Sequence, residues 1–168
     1  MRMPRKTRLT GERMTYLTTE QVKDLATNLH EGQFREDGKP YITHPIAVAE
    51  LVLKHPTAKH FSKQELIYME QAALLHDVIE DCGVSSGFLK EAGVDPIVAD
   101  LVATYLTRDK DTQAYVDYIT NINRKTAILV KISDLTHNLI GAKGNRKDKY
   151  ELALEILEAK IYNTFYYQ

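Results

Sequence analysis

The chain has 168 residues, 43% of them hydrophobic and 27% charged, which fits one compact domain that needs no disulfide or structural metal to fold. Its 22 basic and 23 acidic side chains leave a net charge of −1. This balance excludes a positive electrostatic potential over the whole surface that would attract nucleic acid. A single cysteine, Cys82, and the lack of an N-terminal apolar segment or a long apolar run argue against secretion and a membrane span, and predict a cytoplasmic protein.

Residues 1–16 are predicted to form a basic N-terminal arm. Five of the first 13 residues are basic and only Glu12 is acidic, while Pro4 and Gly11 disfavour a helix. We expect a solvated terminus, and contact with nucleic acid through this arm stays open as a weaker alternative. Residues 17–168 are predicted to form a single domain.

The first part of that domain has helical periodicity interrupted by one turn. A helix is predicted from Thr18 or Thr19 to about Glu31, and the pair Asp37-Gly38 then marks a turn. Because proline favours the first helical position, Pro45 predicts a helix start that leaves His44 at the N-cap edge. At most, a small β-hairpin is expected near residues 34–42.

The remainder of the chain also has a helical pattern. Ser62 and Glu65 form a capping-box pair for a helix that becomes apolar on all sides before it reaches His76 and Asp77. Further helices are predicted over residues 85–91, 96–106, 112–122, 126–139 and 148–165, with a loop that begins at Gly141. The sequence therefore predicts an all-α helical bundle.

The densest polar signal lies at residues 76–81. Helical spacing places His76 one turn before Glu80, and Asp77 one turn before Asp81. Three carboxylates that close repel one another unless a positive charge lies among them, and a divalent cation is a simple solution. Nitrogen and oxygen ligands suit manganese, zinc or iron better than a thiolate-seeking metal.

A second polar pair lies within the apolar helix predicted over residues 126–139. Asp134 and Asn138 are one turn apart on one face of that helix. An unpaired aspartate is costly to bury, so Asp134 either points outward or meets a cation. His137 lies beside this pair, and both a packing role and a functional role are open for it.

The order of these residues along the chain resembles the signature of a known family. The order His44, then His76-Asp77, then Asp134 resembles the H…HD…D signature of the HD-domain phosphohydrolases. Residues 32–35, 38–45, 72–81 and 130–139 are similar to the hydrolase domain of RelA/SpoT proteins and their small stand-alone homologues, which remove the 3′-pyrophosphate from guanosine tetra- and pentaphosphate. The resemblance implies an HD-domain helical bundle and a purine nucleotide substrate.

The resemblance also implies a role for each matching residue. A single Mn²⁺ is expected on the four signature residues, His44, His76, Asp77 and Asp134. Glu80 and Asp81 match the acidic pair that handles the attacking water and assists the leaving group. Arg35 matches the arginine that packs on the base, and Asn138 matches the residue that contacts the ribose.

Two positions depart from the family pattern. Glu36 and Leu135 stand where basic residues are common, so the nucleotide pocket loses positive charge. Two alternatives therefore stay open, namely an HD-domain nucleotide phosphatase acting on a nucleoside monophosphate or a phosphorylated dinucleotide, and a non-catalytic nucleotide sensor. The basic residues that can restore the charge are Lys131, Lys143, Arg146, Lys147 and Lys149, of which we assign Lys143 and Arg146 to substrate binding.

Other conspicuous side chains are expected to be structural. His30, His55 and His60 are predicted at the surface or at helix ends. The tyrosines of the last helix are predicted to lie in the core or on the face of a homo-oligomer, and they are Tyr150, Tyr162, Tyr166 and Tyr167.

Overall fold

A computed structural model describes residues 15–167, and helices are the main secondary structure of these residues. The predicted basic arm therefore lies outside the described residues, apart from Thr15 and Tyr16. The α-helices of the described part are α1 (Thr19–Leu29), α2 (Thr43–Lys54), α3 (Lys63–Leu75), α4 (Val78–Cys82), α5 (Ser86–Glu91), α6 (Pro96–Leu101), α7 (Tyr115–Asn121), α8 (Lys125–Leu139) and α9 (Gly144–Tyr166). A 3₁₀ turn spans Pro56–His60, and a π-helical turn spans Val102–Leu106.

The predicted all-α fold is confirmed. Residues 15–167 contain no β-strand, and the region of the expected hairpin holds one isolated antiparallel bridge, between Phe34 and Pro40. No helix within the same residues is long and apolar enough to cross a membrane.

Two helices begin where the capping residues predict. Thr18 accepts a hydrogen bond from the Gln21 amide at 3.3 Å, and the Gln21 side chain accepts one from the Thr18 amide at 2.9 Å. Ser62 and Glu65 make the same reciprocal pair at the start of α3, at 3.2 and 2.9 Å. Each capping box satisfies two amides that the helix itself leaves without acceptors.

The core is built around α8. This helix packs between α2 and α9 and also contacts α3, and it is buried along most of residues 126–135. The longest helix, α9, covers α8 with Ala153, Leu157 and Ile161, which recur every four residues and so form one buried stripe. Because α2, α3 and α8 meet in the core, polar residues at their contact are removed from water.

The prediction that one helix runs through His76 and Asp77 is wrong. Helix α3 ends at Leu75, and α4 starts at Val78, so both residues lie in the turn between them. The ring of His76 donates a hydrogen bond from Nδ1 to the Ala73 carbonyl at 2.7 Å. A continuing helix would reserve that carbonyl for the amide of Asp77, so the side chain takes the place of a backbone donor.

Three other boundaries also differ from the prediction. The helix expected over 96–106 is α-helical only to Leu101 and continues as the π-helical turn. The helix expected from 112 starts at Tyr115, because Asp109 accepts hydrogen bonds from the amides of residues 111 and 112 and holds them in a turn. The last helix starts at Gly144, so the loop after Gly141 is shorter than expected, and Arg146 lies in the helix.

Local details at two histidines also correct the sequence prediction. Helix α2 begins at Thr43, so His44 lies inside the first turn of the helix and Pro45 does not open it. His30 does end α1, but it is buried, with its ring 4.7 Å from that of Tyr41 and its Nδ1 3.5 Å from the sulfur of Cys82. Packing beneath the 33–41 loop accounts for the burial of His30, since Gln33 also bonds to its Nδ1.

Candidate metal centre

Side chains from three helices converge where α2, α3 and α8 meet. His44 comes from the first turn of α2, His76 and Asp77 from the turn after α3, and Asp134 from α8. His44 and His76 are each 1% exposed, and Asp134 is 3% exposed. The structure thus brings together all four residues of the predicted ligand set.

The distances between their polar atoms are short and similar. His44 Nε2 lies 3.1 Å from Asp134 Oδ1 and 3.7 Å from Asp77 Oδ2. His76 Nε2 lies 2.9 Å from Asp77 Oδ2 and 3.4 Å from Asp134 Oδ1. Two imidazole nitrogens and two carboxylate oxygens therefore face one another across a single small space.

The ligand atoms of His44, His76 and Asp77 lie close enough together to hold one divalent cation, and Asp134 Oδ1 lies beside both imidazole nitrogens as the candidate fourth ligand. Ligand atoms bonded to one ion at about 2.1 Å are separated by about 3.0–3.5 Å when they are neighbours in its shell, and the observed distances fall around that range. The ring orientation of His76 fits as well, because its Nδ1 is used by the Ala73 carbonyl, and its Nε2 is buried without a hydrogen-bond partner. A cation bound between this nitrogen and the facing carboxylates of Asp77 and Asp134 would satisfy it.

The electrostatics of the cluster favour positive charge at its centre. Burial acts to raise the pKa of both Asp77 and Asp134. The charge of His76 nevertheless holds the pKa of Asp77 below its ordinary value. The charges of Lys131 and then of His76 do the same for the pKa of Asp134. Burial lowers the pKa of His44, which favours a neutral imidazole. Ionised carboxylates and the neutral imidazole of His44 are the protonation states that a metal requires. Burial acts to lower the pKa of His76, but the charges of Asp77 and Asp134 raise it, so a metal bound there would replace a proton on His76.

A second layer of side chains orients three of the four candidate ligands. Lys131 donates to Asp134 Oδ2 at 2.7 Å, and Asn138 donates to Asp134 Oδ1 at 2.6 Å. The hydroxyl of Tyr41 donates to Asp77 Oδ2 at 2.6 Å. His44 Nδ1 lies 2.7 Å from His137 Nδ1.

Sequence reasoning assigned no orienting role to Tyr41 or Lys131 and left the role of His137 open. The spacing of Lys131, three residues before Asp134, was a visible signal for an ion pair on one helix face. Tyr41 gave no such signal, because only the tertiary fold brings it to Asp77.

The acidic pair lies at the edge of the cluster on α4. Glu80 Oε1 accepts a hydrogen bond from the Arg108 amide at 2.7 Å, and Glu80 Oε2 pairs with the Lys110 ammonium at 2.9 Å. Partial desolvation together with the charge of Asp77 raises the pKa of Asp81, and a hydrogen bond from Tyr41 and the charge of Lys110 only partly offset this rise. The two carboxylates thus have different surroundings, one oriented by hydrogen bonds and the other closer to protonation.

The predicted substrate residues are divided between two places. Arg35 follows the bridge residue Phe34. Burial and the charge of His44 lower the pKa of His137, and the positive charge of Arg35 lowers it further, which places Arg35 near the cluster. Asn138 is in direct contact with Asp134. Lys143 precedes α9 and is exposed, whereas Arg146 forms a two-bond ion pair with Glu36, at 2.6 and 3.0 Å.

A group of cations lies beside the cluster, around the ring of Tyr115. Lys149 Nζ is 4.5 Å from the centre of that ring, and Arg108 Cζ is 5.8 Å from it. Burial and the charges of Arg108, Lys131 and Arg146 lower the pKa of Lys149. Neither Lys149 nor the Arg108 guanidinium forms a salt bridge within residues 15–167, so positive charge is left uncompensated there.

Comparison with known proteins agrees with this architecture. The family model of the HD domain matches residues 23–165. The chain belongs to the HD-domain family. A solved structure described as a metazoan ortholog of SpoT that hydrolyses ppGpp superposes with a TM-score of 0.65 at 25% identity, covering 88% of each chain.

Curated relatives of this HD domain are longer proteins. It is 35% identical over 144 residues to a guanosine-3′,5′-bis(diphosphate) 3′-pyrophosphohydrolase of Haemophilus influenzae, covering 80% of this chain and 20% of the relative. It is 34% identical over 165 residues to the bifunctional (p)ppGpp synthase/hydrolase SpoT of Escherichia coli, covering 86% of this chain and 22% of that protein. The HD domain thus spans about a fifth of the length of the curated relatives it matches.

Proposed function

We propose that this HD domain is a metal-dependent hydrolase that removes the 3′-pyrophosphate from guanosine tetra- or pentaphosphate. The observation that carries the proposal is the convergence of His44, His76, Asp77 and Asp134 in a chain similar to guanosine-3′,5′-bis(diphosphate) 3′-pyrophosphohydrolases. A cytoplasmic location and a homo-oligomeric state stay predictions.

The metal that we propose for these four residues is one Mn²⁺ ion. HD domains depend on a metal, and a donor set of two imidazoles and two carboxylates suits manganese. When bound, a divalent cation lowers the pKa of a water molecule and polarises a phosphoryl oxygen. Lys131, Asn138 and Tyr41 would hold the carboxylates in place through the hydrogen bonds described above.

The acidic pair, Glu80 and Asp81, would orient the attacking water and transfer its proton. In the reaction, the water oxygen attacks the phosphorus next to the ribose 3′-oxygen, and the bond between that phosphorus and the 3′-oxygen breaks. We assign Asp81 to the transfer of a proton from the attacking water to the departing 3′-oxygen, because its raised pKa brings it nearer to working pH. Glu80, held by the Arg108 amide and Lys110, would orient the water. The products from guanosine tetraphosphate are GDP and pyrophosphate.

The charges around the centre suit a nucleotide with a second phosphate group. A guanosine 3′,5′-bis(diphosphate) carries negative charge on both sides of the ribose, so one diphosphate can approach the metal centre while the other needs separate cations. The uncompensated Arg108 and Lys149 lie beside the centre and are candidates for this role, with Lys143 at the surface. Arg35 would stack on the guanine base, and Asn138 would contact the ribose.

A second candidate function is an HD-domain nucleotide phosphatase. It is favoured by Glu36 and Leu135, and by the finding that Arg146 is engaged with Glu36, so that this arginine adds less charge for a second diphosphate. Its substrate would be a nucleoside monophosphate or a phosphorylated dinucleotide, and its product would be orthophosphate.

Product analysis separates these functions. Purified protein with Mn²⁺ is incubated with guanosine tetraphosphate, and in parallel with nucleoside monophosphates and phosphorylated dinucleotides, with Asp77→Ala as the control. Ion-exchange chromatography should detect GDP and pyrophosphate with the unmodified chain and neither with Asp77→Ala. Orthophosphate from another member of the panel would refute the substrate assignment and support the phosphatase. Metal binding without any turnover would refute both and leave a nucleotide sensor.

A further inference from the structure

His137 makes the closest polar contact to the outer nitrogen of His44. The two Nδ1 atoms are 2.7 Å apart, and the ring centres are 4.9 Å apart at an angle of 35°. His44 is buried, and His137 is partly exposed on α8. Two ring nitrogens at this distance share one proton, so one ring donates and the other accepts.

The metal centre decides which ring donates. His44 Nε2 faces the carboxylates of Asp134 and Asp77, and it can bind a cation only through its lone pair. A neutral His44 with a free Nε2 carries its proton on Nδ1, and that proton points at His137. His137 Nδ1 must then accept, which places the proton of His137 on its own Nε2.

We infer that His137 is a positioning residue, which accepts the Nδ1 proton of His44 and so keeps the His44 Nε2 lone pair directed at the metal. The inference rests on the proposed metal centre but not on the identity of the nucleotide. Loss of such an outer partner typically weakens metal binding about 10- to 100-fold.

The two histidines of the centre differ in how they are oriented. The Nδ1 of His76 is fixed by a backbone carbonyl, that of Ala73, which no side-chain substitution removes. The Nδ1 of His44 depends on a side chain three residues beyond Asp134 on the same helix. Helix α8 therefore both provides one candidate ligand and orients another, so its position relative to α2 sets two sides of the centre together.

Three variants test this inference. His137→Phe keeps a ring but removes the acceptor, His137→Gln keeps a carbonyl oxygen that can accept, and His60→Phe is the matched control at an exposed histidine remote from the cluster. Calorimetric titration of metal-free protein with Mn²⁺ gives the affinity. Nitrogen-15 NMR of the histidine rings, without metal and with Zn²⁺, gives the tautomer of His44.

We expect His137→Phe to weaken Mn²⁺ binding by about 10- to 100-fold and to populate both tautomers of metal-free His44. His137→Gln should recover most of the affinity, and His60→Phe should match the unmodified chain. Unchanged affinity and tautomer in His137→Phe would overturn the inference, as would an equal loss in His137→Gln, which would indicate packing alone. If the unmodified chain binds no divalent cation, the metal centre itself is refuted, and the inference with it.

Discussion

Removing the ammonium group of Lys131 should destabilise the metal-free protein by about 3 kcal/mol. Lys131 donates to Asp134 at 2.7 Å, and their side chains are 14% and 4% exposed. Removing one partner of a buried ion pair costs about 3–5 kcal/mol, because the remaining charge is left in a medium of low polarity. Asp134 in Lys131→Met would keep the hydrogen bond from Asn138, so we expect the lower end of that range. For a chain of this size, this corresponds to a fall in Tm of roughly 10 °C.

The same substitution should make the protein more responsive to metal. Lys131 places a positive charge next to a candidate ligand, so its removal leaves more negative charge to attract a divalent cation. A ligand at 100 times its Kd stabilises a folded protein by about 2.7 kcal/mol, and we expect Mn²⁺ to stabilise Lys131→Met more than the unmodified chain.

Urea unfolding in EDTA and in Mn²⁺ measures both effects of Lys131→Met. The double variant Lys131→Met/Asp134→Asn should be more stable in EDTA than Lys131→Met, because it no longer buries an uncompensated charge. A loss below 1 kcal/mol in EDTA, or a double variant less stable than Lys131→Met, would refute the reasoning about the buried pair.

Three further outcomes follow from the proposed centre. His76→Ala and Asp77→Ala should each lose bound metal together with activity, as measured by metal analysis after gel filtration, and full metal content in both would contradict the ligand assignment. Asp81→Asn should keep its metal but turn over about 10²- to 10⁴-fold more slowly, since it removes the group assigned to proton transfer and not a ligand; unchanged turnover would exclude that role. Lys149→Gln should raise the KM for guanosine tetraphosphate with little change in kcat, whereas Lys147→Gln, a matched control whose lysine pairs with Glu151, should not; equal KM values would remove Lys149 from the substrate site.

The sequence predicted the positions of most helices because capping residues and apolar spacing are local signals. Thr18 and Ser62 cap helices as expected, and α8 lies within one residue of its predicted bounds. The break after Leu75 was not predictable in this way. The residues around it favour a helix, and the hydrogen bond from the His76 ring to the Ala73 carbonyl is apparent only once the ring has a place in the core.

The residues of the metal centre also separate into those that the sequence predicted and those that it did not. His44, His76, Asp77 and Asp134 were predicted as a set because their order resembles the H…HD…D family signature, and the fold brings them together. The side chains that orient them come from distant segments. Tyr41 reaches Asp77 across 36 positions, and His137 reaches His44 across 93, so neither contact has a periodic signature. Only the packing of α2 against α8 and of the 33–41 loop against α4 creates these contacts.

The two departures from the family pattern have different structural consequences. Glu36 is exposed and is matched by Arg146 on α9, so this departure joins the 33–41 loop to the start of the last helix by an ion pair. Leu135 is buried in the core, so a charged residue there would be costly, and the position cannot face a nucleotide in this chain. Positive charge lies instead on Arg108 and Lys149, around the ring of Tyr115. In the proposed site, the charge available for a second phosphate group therefore lies on Arg108, before α7, and on Lys149 of α9, and substrate selection by this domain should depend on those two residues.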